Sequence, residues 1–150
     1  MRKPTNIGAS MRTRLLNLAR QRGQPFQVLL TRFVLERLLY RLSLTSHRNR
    51  FVLKGAMLLT SWFADPLRPT QDLDLLGFGN SDADAMLAVF REVCAVEVED
   101  GVTFNVGGLI VEPIREELEY GGLRLKTHAT IDEARIRVVV DVGFGDAVEP

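Results

Sequence analysis

Residues 68–79, RPTQDLDLLGFG, place two aspartates one residue apart at the start of an apolar run. The run is typical of a β-strand, in which successive side chains point to opposite faces. Asp72 and Asp74 then share one face, about 7 Å apart along the strand, while Leu73 and Leu75 point into the core. Aspartate is disfavoured in strands and adjacent carboxylates repel each other. The pattern therefore predicts a bound ligand for the pair, and a metal ion is the simplest candidate.

A third acid ends another strand-like run near the end of the sequence. Residues 135–146, RIRVVVDVGFGD, are strongly apolar up to Asp141. If this strand is a neighbour of the first, three carboxylates converge. Oxygen donors alone suit Mg²⁺ or Mn²⁺ rather than zinc or copper, and His47 and His128 are isolated along the sequence. The alternative for the two aspartates is a strand end exposed to water, with no ligand.

Residues 51–59, FVLKGAMLL, predict a short strand, a glycine turn at Gly55 and a short helix. A turn of this kind before a helix N-terminus can bind phosphate oxygens through its backbone N–H groups. A phosphate-binding turn, a D-x-D strand and a distant third acid form the layout of two-metal phosphoryl or nucleotidyl transfer. One metal activates the attacking hydroxyl and the other holds the triphosphate.

The rest of the sequence predicts helices first and strands later. Ser10 is the candidate N-cap of a first helix that ends at Gly23, and Pro25 opens a second, longer helix. Residues 82–94 predict a third helix, and four strand-like segments follow. This order predicts an α+β fold in which a helical N-terminal cap covers a mixed sheet. The first two helices could alternatively form a helix-turn-helix, although no base-reading pattern accompanies them.

Length and composition predict one soluble domain. The 150 residues are 46% hydrophobic, which is enough for a substantial core. The single cysteine, Cys94, excludes an internal disulfide framework and fits a reducing compartment. No apolar stretch reaches the roughly 20 residues that span a bilayer, and MRKPTNIGAS lacks the apolar region of a signal peptide. We therefore expect a cytoplasmic protein with no membrane partner.

The net charge of zero hides an asymmetry along the sequence. Residues 1–50 contain eleven Lys or Arg, most of them Arg, against one acid; residues 51–150 contain eight basic residues against eighteen acids. Arginine suits phosphate recognition. We expect a basic helical segment, 1–50, that binds a polyanion, beside an acidic core, 51–150, that binds cations. The alternative is two solvated surfaces that attract each other during folding.

Taken together, these segments resemble a known family. The glycine turn, the helix and the D-x-D are similar to the DNA-polymerase-beta-like nucleotidyltransferases. More closely, FVLKGAMLL, RPTQDLDLLG, DVGFGDAV and the two N-terminal helical segments resemble the AbiEii/AbiGii nucleotidyltransferase toxins of abortive infection, or toxin–antitoxin, systems. The resemblance covers nearly the whole sequence. It implies a polymerase-beta-like core, transfer of a nucleotide from an NTP to an RNA acceptor, with the tRNA 3′ end as one candidate, and a cognate antitoxin.

The resemblance also implies roles for individual residues. Asp72, Asp74 and Asp141 would be the catalytic carboxylates and the ligands of Mg²⁺ or Mn²⁺, with Asp141 either a ligand or the base for the incoming hydroxyl. Gly55 would form the phosphate-binding turn. The other implied contacts or supports are Lys54, Ala56 and Arg68 for the nucleotide, Thr70 for the loop, and Asp146 for Asp141. Arg68 could alternatively anchor the loop by pairing with an acid.

Two departures from the family pattern qualify this expectation. Ala56 has no hydroxyl, so only backbone groups remain at the second position of the turn. Family members also continue well past the equivalent of Asp141, with a lysine and further acids that serve nucleotide binding and catalysis. The alternative function is therefore a catalytically inactive, truncated remnant that acts as an RNA- or protein-binding module. A glycosyltransferase D-x-D site is a weaker alternative, because the β-α-β run expected before such a site is absent from the sequence.

Overall fold

The computed structural model describes residues 6–53, 72–114 and 122–144. Within these ranges the chain forms three α-helices and six β-strands. The helices are α1 (Ile7–Arg22), α2 (Phe26–Ser43) and α3 (Ala83–Ala95), and the strands are β1 (Phe51–Leu53), β2 (Leu73–Gly77), β3 (Val102–Phe104), β4 (Ile110–Pro113), β5 (Gly122–Ile131) and β6 (Ala134–Gly143). The predicted α+β fold, with helices preceding a mixed sheet, is confirmed.

The strands form one sheet in the order β1-β2-β6-β5-β3, with β4 also paired to β5. β2 and β6 are parallel, and the other pairs are antiparallel. β3 and β4 follow the same edge of β5 as two parts of a broken strand, separated by a 3₁₀ turn at Val106–Gly108. At the break the Thr127 hydroxyl donates a 2.7 Å hydrogen bond to the Asn105 carbonyl. This bond replaces part of the backbone pairing that the break removes.

Alternation along β2, β5 and β6 divides the sheet into two faces of opposite character. The inner face is apolar, and most of its side chains are almost fully buried: Leu73, Leu75, Leu123, Leu125, Ala129, Ile131, Ile136, Val138, Val140 and Val142. The outer face is mainly polar: Asp74, Glu112, Arg124, Lys126, His128, Thr130, Arg135, Arg137, Val139 and Asp141. The helices pack against the inner face.

The three helices share one hydrophobic core with the sheet. α2 contributes a stripe of buried residues at helical spacing, Leu30, Val34, Leu38 and Leu42, and contacts β6. On α3, the side chains of Met86, Val89, Phe90 and Val93 are all buried. Burial of each such side chain stabilises the fold by about 1.5–3 kcal/mol. The apolar spacing of both helices therefore determines how they sit on the sheet.

The end of α1 was predicted correctly from the sequence, but its start was not. Gly23 ends the helix in the left-handed conformation, with φ of 65°, as predicted. The predicted start at Ser10 is wrong, because the helix begins at Ile7 and the Ser10 N–H already bonds to the Asn6 carbonyl at 2.9 Å. Gly8 packs against the backbone of Gly101, so closely that a Cβ on Gly101 would lie 2.6 Å from the Gly8 Cα. This tertiary contact extends the helix beyond its sequence signal.

Among the arginines that the structure describes in residues 6–50, Arg41 is the most buried, at 2% exposure. Its guanidinium forms two hydrogen bonds with the Asp100 carboxylate, of 2.9 and 3.1 Å, and further bonds with the carbonyls of Val96 and Val102. It also stacks over the Phe104 ring at 5.0 Å. These contacts join α2 to the segment between α3 and β3, so Arg41 is a structural residue.

The burial of Arg41 changes the interpretation of the basic N-terminal segment. Arg32 is 7% exposed, and Arg37 also bonds to Asp100, at 2.8 Å. The expectation that the arginines of residues 1–50 are available to a polyanion therefore does not hold for Arg32 and Arg41, which are buried. The exposed arginines of residues 6–50 are instead on α1 and after α2: Arg14, Arg20, Arg22 and Arg48.

We expect Asp100→Asn to lower the free energy of unfolding by about 3 kcal/mol at neutral pH, because it leaves the Arg41 charge buried without its partner. Burial alone would raise the pKa of Asp100, but hydrogen bonds from Arg41, the Val102 N–H and Arg37 outweigh it and hold the pKa below its ordinary value. This stabilisation is complete above the ordinary aspartate pKa of 3.8 and is lost as the pH falls through the lower folded-state value.

Urea denaturation across a pH series measures both effects. The matched control is Asp132→Asn, which removes the same charge from the more exposed pair with Arg12 and should cost less than about 1 kcal/mol. Equal losses in the two variants, or a loss in Asp100→Asn that persists unchanged in strong acid, would contradict the structural role of the buried pair.

Candidate active site

The parallel pairing of β2 and β6 brings two of the predicted catalytic residues together. Asp74 lies directly opposite Asp141 in the register, on strands about 4.8 Å apart. Both belong to the outer face, and Asp74 is exposed. Asp72 immediately precedes β2 and is partly buried, while Leu73 and Leu75 lie in the core at 1% exposure. The structure thus places Asp74 beside Asp141, and Asp72 lies two residues before Asp74 in the sequence.

The structure adds one residue that the sequence reasoning missed. Arg124 lies opposite Asp141 on β5, the other neighbour of β6. Its Nε and Nη2 atoms donate hydrogen bonds of 2.7 and 3.0 Å to the two carboxylate oxygens of Asp141. Fork-shaped pairing of this kind is stronger and more directional than a neutral hydrogen bond. Arg124, Asp141 and Asp74 therefore form a row across three adjacent strands, a cation beside two anions.

The sequence of the β5–β6 hairpin does contain a signal that places Arg124 opposite Asp141. β5 and β6 are joined by the two-residue turn Asp132 and Glu133, and Ile131 pairs with Ala134. Counting outward from a turn of this length fixes every partner in the hairpin, and it places Arg124 opposite Asp141. The turn lacks the usual glycine signal, because Asp132 takes the left-handed conformation, with φ of 58°, that glycine or asparagine more often adopts.

Arg124 supplies an electrostatic reason why the acids can lie side by side. Two carboxylates on adjacent strands repel each other, and the guanidinium on the far side of Asp141 offsets part of that repulsion. The Asp141 side chain is 18% exposed and the Arg124 side chain 36%, so solvent screens the pair only in part. The Arg124 guanidinium thus already lies beside Asp141, one of the residues for which the sequence predicts a metal ion.

The residues present fit a divalent cation by their chemistry. Asp74 and Asp141 supply hard oxygen donors on one face, which suits Mg²⁺ or Mn²⁺. Within residues 6–53, 72–114 and 122–144, no group of three His, Cys, Asp or Glu side chains is arranged to hold a metal ion. The three-carboxylate metal site accordingly stays a prediction. The remaining candidates all lie outside the described residues: Lys54, Gly55, Ala56, Arg68, Thr70 and Asp146.

A cavity of about 680 Å³ lies away from these acids, beside the end of α3 and β3. Its lining includes Arg41, Cys94, Glu97 and Phe104. Burial raises the pKa of the Cys94 thiol to about 12, despite the nearby positive charge of Arg41. The thiol is therefore protonated at neutral pH, which is typical of an unreactive buried cysteine.

Comparison with known proteins places this arrangement in a family. The family model described as the nucleotidyl transferase AbiEii toxin, type IV toxin–antitoxin system, matches residues 37–150. The chain belongs to this family. The matched range contains β2 and β6 and all three predicted carboxylates, so the suspected membership is confirmed over most of the chain. A search of the curated proteins gave no match.

Among solved structures, this AbiEii-family chain is similar to JHP933 from Helicobacter pylori, known from its crystal structure. The TM-score is 0.51 and the sequence identity 15%, a likeness that concerns the fold alone. The alignment covers 84% of this chain and 47% of that protein, so the chain spans about half the length of its structural relative. No helix in the part of the chain that the structure describes is both long and apolar enough to cross a bilayer.

We expect Arg124→Gln to lower the thermal midpoint at neutral pH, because Asp74 and Asp141 lose the positive charge that offsets their repulsion. The cost should be about 1 kcal/mol for a partly exposed pair with two hydrogen bonds. Adding MgCl₂ should then raise the midpoint more in the variant than in the wild type, since a cation at the two acids replaces the lost charge.

Arg137→Gln is the matched control, because it removes the same charge from an exposed position on the outer face. Differential scanning fluorimetry with and without MgCl₂ gives the comparison. An equal response to MgCl₂ in the wild type and both variants would show that Arg124 does not balance the charge of these acids.

Proposed function

We propose that this chain contains the metal- and NTP-binding core of a nucleotidyltransferase toxin that transfers a nucleotide from an NTP to an RNA acceptor. The observation that carries the proposal is the parallel register that sets Asp74 opposite Asp141, in a chain of the AbiEii family. Two acids from adjacent strands at one face supply oxygen donors for the divalent cations that nucleotidyl transfer uses. The family description also supports a cognate antitoxin as a partner of the whole protein.

In the proposed reaction, an acceptor hydroxyl attacks the α-phosphorus of the NTP. The bond from that phosphorus to the bridging oxygen breaks, and pyrophosphate leaves. Asp72, Asp74 and Asp141 would hold Mg²⁺ or Mn²⁺, which when bound would position the triphosphate and stabilise the leaving charge. The proton of the hydroxyl must pass to a base or to water.

The contacts of Asp141 favour one of the two roles considered for it. Both of its oxygens accept hydrogen bonds from Arg124, which fix the orientation of the carboxylate and leave a second lone pair on each oxygen for a metal ion. Asp141 is then better suited to be a metal ligand of fixed orientation than to serve as the general base. Arg124 is a positioning residue in this proposal, since it fixes the orientation of the Asp141 carboxylate and compensates its charge.

The second candidate function is an inactive remnant that binds RNA or a protein. It is favoured by the Arg124 guanidinium, which already neutralises Asp141. Isothermal calorimetry with an NTP and MgCl₂ separates the two candidates. A nucleotidyltransferase core should bind the NTP in a metal-dependent way that Asp74→Ala removes, whereas a remnant should show no metal-dependent nucleotide binding.

We expect Asp72→Ala and Asp74→Ala each to reduce nucleotide transfer to background, because each removes a proposed metal ligand. Incorporation of α-³²P-labelled NTPs into RNA measures the transfer, and growth of cells that express each variant measures toxicity. Asp84→Ala, which removes an exposed aspartate from the first turn of α3, is the control and should leave both readouts unchanged. Labelling of RNA at the wild-type rate by an Asp72→Ala, Asp74→Ala double variant would refute the proposed chemistry.

A further inference from the structure

The outer face becomes basic away from the acids, toward the turn of the β5–β6 hairpin. Lys126 and His128 follow Arg124 on β5 at alternate positions, and Arg137 and Arg135 follow Asp141 on β6 in the reverse direction. His128 lies directly opposite Arg137. We call these four residues, Lys126, His128, Arg135 and Arg137, the basic track.

The basic track carries more positive charge than its neighbours neutralise. Lys126 pairs with Glu112 at 2.6 Å, whereas Arg135 contacts the ring of His128 at 3.4 Å. Within the part of the chain that the structure describes, no ion pair involves Arg135 or Arg137, and both are exposed. Exposed cations grouped without counter-ions create a field that attracts an anionic partner.

A small cavity lies within the track. It has a volume of about 190 Å³ and is lined by Gly108, Ile110, Lys126, Thr127, His128 and Arg137. The break between β3 and β4 forms one of its sides, since Gly108 belongs to the 3₁₀ turn there. Ile110 is 53% exposed and adds an apolar surface to a basic wall. The cavity is smaller than the roughly 300–1,000 Å³ of drug-sized sites, and its size and charge suit one phosphate or one nucleotide unit.

The track leads directly to the candidate active site. Arg137 and Arg135 are four and six residues from Asp141 along β6, which corresponds to about 14 and 20 Å at the rise of an extended strand. The exposed arginines of α1 are placed differently. Met11 and Leu15 of that helix pack against the core, on the inner side of the sheet, so α1 is separated from Asp74 and Asp141 by the sheet itself.

We propose that the basic track binds the sugar-phosphate backbone of the RNA acceptor and leads it toward Asp74 and Asp141, with one nucleotide in the small cavity. The identity of the ligand rests on the proposed function, because nucleotidyl transfer needs an acceptor strand that continues away from the reacting hydroxyl. The track replaces the N-terminal segment as the expected place of acceptor binding, since it lies on the same face as the acids.

The test compares two double variants that remove the same charge from two different surfaces. Arg135→Gln, Arg137→Gln changes the track, and Arg14→Gln, Arg20→Gln changes exposed positions on α1. Binding of a fluorescein-labelled single-stranded RNA of mixed sequence is measured by anisotropy over a salt series, without NTP or metal. We expect the affinity of the track variant to fall at least about tenfold, and its slope of log K against log salt to shrink by about 0.7 for each phosphate that the protein no longer neutralises. The α1 variant should behave like the wild type.

Several results would overturn the proposal. These are an equal loss of affinity in both variants, a loss confined to the α1 variant, or no RNA binding by the wild type. Displacement of the RNA by polyglutamate at matched charge would assign the track to an acidic protein segment instead. Arg135→Gln alone provides a second comparison should the double variant fold poorly, as judged by its thermal midpoint.

Experiments on the same wild-type and variant proteins distinguish this proposal from the proposed function. Because the anisotropy assay contains neither NTP nor Mg²⁺, a chain that cannot transfer nucleotides still reports whether the track binds RNA. Conversely, metal-dependent NTP binding together with an unchanged RNA affinity in the track variant would refute the track and leave the proposed function standing.

Discussion

The parallel pairing of β2 with β6 is the constraint on which the candidate site depends. β2 and β6 are distant in sequence, and only their register sets Asp74 opposite Asp141. A shift of one residue would move either side chain to the opposite face, among the apolar residues of the core. Burial of Leu73, Leu75, Val140 and Val142 at 2% exposure or less opposes such a shift, so the hydrophobic core and the acidic pair are fixed by the same register.

That register creates an electrostatic cost, and β5 contributes the group that offsets it. Arg124 approaches Asp141 from the side opposite to Asp74, so the charge sequence across the three strands is positive, negative, negative. Formation of the β5–β6 hairpin therefore determines the charge that lies beside Asp141.

The elements that the sequence predicted well are those with a local signal. Periodic apolar residues placed α2 and α3, Gly23 ended α1, and the alternation around Leu73 and Leu75 gave β2 with the correct face inward. The misses arise from contacts between distant residues. Nothing near Ser10 in sequence shows that Gly8 packs on Gly101, and nothing near Arg124 shows that it faces Asp141 until the register of the hairpin is known. The predicted phosphate-binding residues stay predictions, because they lie outside the described residues.

The distribution of charge shows why composition alone is a poor guide to where a polyanion could bind. Residues 1–50 have the larger excess of arginine, yet Arg41 and Arg32 are buried and Arg37 bonds to Asp100. Residues 51–150 are acidic overall, yet alternation on β5 and β6 gathers four basic side chains on one face beside Asp141. A sheet separates charge by face, with a period of two residues, whereas a count over fifty residues averages both faces. Strand register therefore determines which charges share a face, and in this chain it places the basic track on the same face as Asp74 and Asp141.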